Sequence, residues 1–179
     1  MNSPNTVTPS PVAAAVQANL LLLAQGIEVI SRLGPNRYGE RVAACFNSSA
    51  GGHFRHVIEH YQSVLAAVAS GDLDYENRAR DTMIETSADH ASDVVRSVMT
   101  SLRTLNPVDR EISIAAESAP GARVATSLGR ELEFLISHTV HHYALIAVIA
   151  GLQDVVCPSD FGMAPSTIKF QQSQAACAH

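Results

Sequence analysis

Four long stretches of helical periodicity constrain the fold of this chain more than any other feature. The longest runs from Ser127 to about Gly151, where apolar residues recur every three or four positions. The other three cover residues 11–33, 51–70 and 88–105. Amphipathic helices of this length bury their apolar faces against one another. The sequence therefore predicts an all-α fold, a four-helix bundle with a long crossover before the last helix.

The chain length and the remaining segments predict one domain. A chain of 179 residues is long enough to bury one core and too short for several. We expect the bundle to span residues 11–170, after a flexible leader at residues 1–10. Its last part, "PSDFGMAPSTIKF" at residues 158–170, should be an irregular tail over the surface, and residues 171–179 should be disordered. Residues 108–127 hold two short alternating runs around "APG", which fit either a small hairpin or an extended crossover.

Charge and composition exclude several functions. The net charge is -5 and the twelve Lys and Arg residues are scattered, so a nucleic-acid partner is not expected. Three cysteines without a CxxC motif predict neither a disulfide framework nor a thiolate zinc site. The apolar run "VAAAVQANLLLLAQGIEVI" is interrupted by Gln17, Asn19, Gln25 and Glu28. We therefore expect a buried helix instead of a membrane span, and a cytoplasmic protein.

Histidines are concentrated at helical spacing in two of these segments. Six of the eight lie in "GGHFRHVIEHY", residues 51–61, and "SHTVHHYAL", residues 137–145. At about 100° per residue, the first segment groups three rings within about 60° of one another, and the second groups two within about 40°. The first group is His53, His56 and His60, and the second is His138 and His142.

Two imidazoles one helical turn apart, with a third from a facing helix, suit a divalent metal with an open coordination position. A single histidine on an apolar helix edge is more often an ordinary boundary residue, but two clusters on separate helices favour a metal site. Zinc fits these ligands best, and nickel, iron and manganese remain alternatives. Because ligation requires neutral imidazole, we expect metal occupancy to fall below about pH 6.

The two histidine segments resemble the DinB-like superfamily of four-helix, metal-binding bacterial proteins. Its last helix typically carries N-H-x-x-H-H-R-G-Q, and "SHTVHHYAL" has its three histidines at that spacing. Its second helix typically carries a Gly before a single ligand histidine, which His56 matches. The resemblance covers most of residues 12–170 and implies His56, His138 and His142 as metal ligands. Residues 143–145 depart from it, since Tyr-Ala-Leu replaces R-G-Q.

The resemblance implies a metal-dependent enzyme that activates a thiol or water for transfer to, or hydrolysis of, a small molecule. Some members resemble transferases that use bacillithiol, mycothiol or glutathione, so a low-molecular-weight thiol is an expected partner. The alternative is a non-catalytic protein whose histidine site is structural or sensory. The resemblance, together with the unusually apolar "NLLLLA" of the first helix, also predicts a homodimer.

Four further residues are candidates for the site. Glu131, seven residues before His138, is the candidate general base or orienting group, although a first-turn carboxylate also simply favours the helix dipole. Arg78 and Arg80 are candidates to hold an anionic substrate or thiol cofactor, the alternative being a solvated turn with local ion pairs. Tyr143 is a candidate to place its hydroxyl in the same pocket, or to be a packed aromatic.

Overall fold

The computed structural model describes residues 9–177, with side chains up to residue 174, and is mainly helical. Four of its helices are long and two are shorter. In chain order the helices are α1 Pro11–Tyr38, α2 Ala50–Ser70, α3 Thr82–Thr86, α4 Ala88–Arg103, α5 Leu128–Leu152 and α6 Pro165–Cys177. The leader predicted at residues 1–10 falls mostly outside the described residues.

Serine begins each of the four long helices. In every case the serine backbone is extended and its hydroxyl accepts a hydrogen bond from the amide three residues later, which satisfies one of the free amides of the first turn. The four caps are Ser10, Ser49, Ser87 and Ser127. The helical boundaries are therefore set by local sequence.

The predicted, mainly helical fold is confirmed, but a small sheet makes it differ from a clean four-helix bundle. Its strands are β1 Asp72–Leu73, β2 Glu111–Ala115 and β3 Arg123–Ser127, in the order β1-β2-β3. β2 and β3 form the antiparallel hairpin that was one alternative for residues 108–127, and β1 pairs with β2 in parallel. The prediction missed β1 because two residues carry no periodicity, and their partner lies about forty positions along the chain.

The long helices pack as a ring in which α1 and α2 each contact both α4 and α5. α1 and α5 run in the same direction, since Asn19 donates to the Leu132 carbonyl and Arg32 donates to the Val156 carbonyl. α2 runs in the opposite direction to α5, because His53, near the start of α2, contacts His142, in the second half of α5. The core fills the space between the four helices.

The segment that runs the length of the bundle is residues 71–87, between α2 and α4. Glu85, just before α4, contacts Arg55 in the first turns of α2, so α2 and α4 start at the same end. Residues 104–127 form a long connection, as predicted before the last helix. This connection begins and ends at the other end of the bundle, where it forms the hairpin, and so it does not cross the bundle. The position of the crossover is thus a correction to the predicted topology.

The C-terminal segment is helical where an irregular tail was predicted. α6 continues to Cys177, which leaves residues 178–179 outside the described part of the chain. Its glutamines and alanines favour a helix, but its described side chains are mostly exposed and show no apolar face. Periodicity could not reveal such a helix.

α1 and α5 are long and apolar enough to cross a membrane by length and composition. In each, 44% of the most apolar window is buried within the fold. Leu23 and Ile30 of α1, and Leu132 and Ile146 of α5, are at most 1% exposed. Core helices of globular proteins pass the same test, so both helices fit the buried role expected from the sequence.

Gly51 allows α2 to approach the segment before α4. A Cβ at this position would overlap the carbonyl oxygen of Glu85, which belongs to the backbone and cannot rotate away. We expect Gly51→Ala to destabilise the protein by about 1–3 kcal/mol in urea unfolding. Gly151→Ala is the matched control: it also lies in a long helix, has open space around it, and should stabilise by up to about 1 kcal/mol. Equal effects of the two changes would contradict this packing.

Candidate metal centre

Five histidines from two helices meet at one place in the bundle. They are His53, His56 and His60 of α2, and His138 and His142 of α5. The ring of His56 lies 4.3–5.0 Å, between centroids, from those of His60, His138 and His142. Because α2 and α5 are antiparallel neighbours, the histidines on one face of α2 lie opposite the histidines on the facing side of α5. The convergence predicted from sequence is therefore present.

Three histidines of this cluster, His56, His60 and His138, form a group that could hold a metal ion. One ring nitrogen from each lies within 4.8 Å of the others. Ligands bonded to zinc at 2.0–2.1 Å are about 3.3 Å apart in a tetrahedral shell.

His138 supplies an independent sign that a ligand belongs here. Its Nε2 atom is buried and has no hydrogen-bond partner among the described residues. A buried polar atom without a partner costs about 1–3 kcal/mol, so native proteins seldom leave one. A divalent cation would satisfy this lone pair. The residues present therefore fit a metal that prefers imidazole ligands.

His60, which was extra to the predicted ligand set, is oriented by the backbone. It is 4% exposed, and its Nδ1 lies 2.7 Å from the carbonyl oxygen of His56, to which it donates. This bond puts the lone pair of His60 on Nε2, where it accepts a 3.3 Å hydrogen bond from a terminal nitrogen of Arg78 that a bound metal would replace. Metal-binding histidines are commonly oriented in this way by a backbone carbonyl.

His142, a predicted ligand, lies at the edge of this set. Its ring centroid is 4.6 Å from those of both His56 and His138, so the three predicted ligands do come together. Its Nδ1, however, lies 3.0 Å from Nδ1 of His53. The two residues that both the sequence and the nitrogen positions place at the centre are His56 and His138.

Burial keeps the cluster neutral. Removal from water lowers the pKa of His56 and His138 to about 3 and that of His142 to about 4, and neighbouring histidines add charge repulsion. The pKa values of His53 and His60 are also lowered, chiefly by burial. Neutral imidazole is the form that binds metal. Protons therefore begin to compete with a metal for these nitrogens only at a pH lower than the value of about 6 that the sequence predicts.

The metal-free protein should lose stability as the pH falls from 6.5 to 5. In this range the histidines of the unfolded chain, with pKa near 6.5, take up protons that the folded cluster does not. The unfolded state then binds more protons, so the free energy of unfolding decreases as pH falls. The midpoint of urea unfolding with chelator present measures it. His56→Asn should flatten this dependence, and an unchanged slope would contradict the burial of His56.

An open cavity of about 760 Å³ adjoins the cluster. Its volume suits a small molecule. Nine residues from four parts of the fold line it: His56, His60, Tyr75, Glu76, Arg78, Arg80, Glu117, Phe134 and His138. Arg78 and Arg80 thus lie where the sequence predicted, and Arg78 also faces the buried Glu59 at 3.6 Å. The sequence analysis missed the other four lining residues, because no motif marks them and only the fold brings them to the histidines: Tyr75, Glu76, Glu117 and Phe134.

Glu131 does not act at the histidines, which corrects the candidate general base. It is fully buried, and its carboxylate accepts hydrogen bonds from the Tyr75 hydroxyl at 2.7 Å, the Thr126 hydroxyl at 2.7 Å and Arg130 at 2.9 Å. Tyr75 in turn stacks on His60, with centroids 4.8 Å apart. Glu131 therefore holds the wall of the cavity in place instead of reaching into it.

Tyr143 is a core residue, which corrects its assignment to the pocket. It is 1% exposed, donates its hydroxyl to the Leu22 carbonyl at 3.0 Å and stacks on Phe161 with centroids 4.4 Å apart. One residue beyond His142, its side chain turns about 100° around α5, toward α1. Gly26 leaves the room that its ring requires.

Comparison with known proteins does not assign the chain to a family. No protein-family profile matches the chain, and no solved structure matches it. The chain is 35% identical over 68 residues to FK506-binding protein 5 of Rhizopus delemar. That match covers 38% of this chain and 18% of the fungal protein, so the chain spans less than a fifth of that relative's length. A match of this extent does not establish a family.

Proposed function

We propose that this protein is a DinB-like, divalent-metal-binding protein, with its metal centre between α2 and α5. One observation carries the proposal: His138, whose buried Nε2 has no hydrogen-bond partner among residues 9–174, belongs to a set of three imidazoles with one nitrogen each within 4.8 Å of the others. The four long helices and the crossing segment between α2 and α4 supply a rigid frame for these side chains. Zinc is the preferred ion because it accepts three imidazoles and leaves a position open.

His56 and His138 are the shared ligands of this proposal, and His60 is the third. The nitrogen positions support His60, whereas the family resemblance implies His142. His60 is also oriented for ligation by its bond to the His56 carbonyl. His60→Ala should therefore weaken zinc binding more than His142→Ala, measured by competition with a zinc indicator. The reverse order would return the third position to His142.

The protein is proposed to be an enzyme that acts on a small molecule. A bound divalent ion would lower the pKa of a thiol or water in the cavity and so produce a nucleophile at neutral pH. Arg78 and Arg80 would bind an anionic group of the substrate or of a low-molecular-weight thiol. Tyr75 and Phe134 form an aromatic wall that excludes water from one side of the histidines. The open cavity favours this role over a closed structural site.

Melting and activity measurements test this function together. Protein purified without a polyhistidine tag should melt higher with added zinc than with chelator, because an ion that binds only the folded state stabilises it. At zinc 100 times the dissociation constant the gain is about 2.7 kcal/mol. A panel of thiol-transfer and hydrolysis reactions should then give zinc-dependent turnover. Stabilisation without turnover would favour the non-catalytic alternative, and no stabilisation would contradict the metal centre.

Arg78 offers a more specific test of substrate binding. Arg78 hydrogen-bonds to His60 of the cluster, so Arg78→Gln should raise KM for an anionic substrate by about tenfold while zinc content stays unchanged, as loss of one charge-assisted hydrogen bond implies. Arg96→Gln is the control, since Arg96 lies on α4 and pairs with Asp93. Equal KM values for the two variants would remove Arg78 from the substrate site.

The homodimer and the cytoplasmic location stay predictions. In "NLLLLA", Leu20 and Leu23 are buried in the core, whereas Leu21 is 70% exposed. An exposed leucine in α1 is the surface that a second copy would cover. Sedimentation equilibrium tests the dimer, and a mass of one chain at micromolar concentration would remove it.

A further inference from the structure

Two histidines that are not ligands of the proposed centre, His53 and His142, contact each other through ring nitrogens. Nδ1 of His53 on α2 lies 3.0 Å from Nδ1 of His142 on α5, and their ring centroids are 5.3 Å apart. Both side chains are half-buried. If His60 completes the centre with His56 and His138, neither His53 nor His142 is needed there.

The separation of these two nitrogens matches that of two ligands on one ion. Nitrogens bonded at 2.0–2.1 Å to a common cation are about 3.0 Å apart when the angle at the cation is about 90–95°. A hydrogen bond across the same contact needs one ring with a proton on Nδ1 and the other without. A cation would instead bind both rings in the same tautomer, the one with its lone pair on Nδ1.

The surroundings of His53 and His142 are partly open to solvent. His141, which is exposed, lies beside His142 with its ring edge-on and its centroid 5.3 Å away. The half-buried positions of His53 and His142 keep water accessible for the remaining coordination positions. Two imidazoles with water suit a late first-row divalent metal such as zinc, nickel or copper.

We propose that His53 and His142 form a second binding site for a divalent transition metal, beside the centre of His56, His60 and His138. This inference rests on the proposed function, because it assigns His60 to the first centre and releases His142 for the second. The ring of His142 is 4.6 Å from those of His56 and His138, so two bound ions would be close neighbours. Neighbouring ions can act on one substrate from two sides.

Zinc stoichiometry tests the second site. The full chain, without a polyhistidine tag, is stripped with chelator, incubated with excess zinc and freed of unbound metal by gel filtration. Elemental analysis should give two zinc ions per chain for the wild type and one for His53→Ala and for His142→Ala. His53→Gln provides a second variant of similar size if the alanine variant does not fold. His90→Ala, on α4, is the control and should retain two.

The outcomes separate this inference from the proposed function. One zinc ion in the wild type, retained by His53→Ala, overturns the second site and leaves the first centre intact. One zinc ion that is lost in His142→Ala also overturns it, and makes His142 a ligand of the first centre. Two ions in both the wild type and His53→Ala place the second ion elsewhere and overturn the assignment. Absence of zinc from the wild type contradicts the proposed function itself.

Discussion

His138→Ala is expected to abolish stoichiometric zinc retention at the main centre, which is the proposed site of His56, His60 and His138. Structural zinc sites provide about 10–16 kcal/mol from four ligands, or roughly 3 kcal/mol for each, which corresponds to on the order of 100-fold in affinity. His138 is the proposed ligand whose buried Nε2 has no partner in the described part of the chain, so its removal takes away both a ligand and the reason for an ion at that position. Competition with a chromophoric zinc chelator measures the loss directly.

His141→Ala is the matched control for this change. His141 lies on the same helix, three residues further on, and is exposed to solvent. Its removal should change affinity at the main centre by less than a few-fold. The metal-free His138→Ala protein should fold normally, because the change removes an unsatisfied polar atom along with some packing. Equal affinities for the His138 and His141 variants would contradict the assignment of His138 as a ligand.

Glu131→Ala is expected to cause the largest loss of stability. The carboxylate is fully buried and accepts from Tyr75, Thr126 and Arg130, so its removal leaves two hydroxyl groups without their acceptor. Each buried, unsatisfied group costs about 1–3 kcal/mol, which gives a total on the order of 4 kcal/mol in urea unfolding. Zinc affinity should fall as well, because Tyr75 no longer holds the ring of His60.

Two further variants make the test of Glu131 specific. Glu133→Ala removes an exposed carboxylate two residues along α5 and should change stability by less than about 0.5 kcal/mol. Tyr75→Phe keeps the ring that stacks on His60 but removes the hydroxyl, so it should lose only part of the stability that Glu131→Ala loses. If Glu131→Ala unfolds at the same urea concentration as Glu133→Ala, the buried network does not hold the cavity wall.

The helices were predictable because their signals are local. Each long helix has a serine cap and an apolar stripe within one stretch of chain, and the break expected after Leu33 lies at Gly34, where φ is +64°. β1 was not predictable, since its partner at Ser113 and Ile114 is brought to it only by the packing of α2 and α4. Local patterns report on faces and ends, and not on which distant segments pair.

The histidine site shows the same division. Helical spacing placed His56 and His138 on facing sides of two helices, and the structure brings them together. Spacing gives the direction of a ring but not of its nitrogens, so it could not show that the His56 carbonyl turns His60 toward the cavity, nor that His142 faces His53. Glu131 was misassigned for a related reason, since its partner Tyr75 comes from the segment between α2 and α4.

Anomalous diffraction from a zinc-soaked crystal tests the central claim most directly. Data collected on both sides of the zinc absorption edge locate the ion without reference to any assumed ligand. We predict a strong anomalous peak between α2 and α5, about 2.0–2.1 Å from a ring nitrogen of His56 and of His138, with a coordination position open to the cavity. An anomalous map without a peak within bonding distance of these two residues would contradict the account.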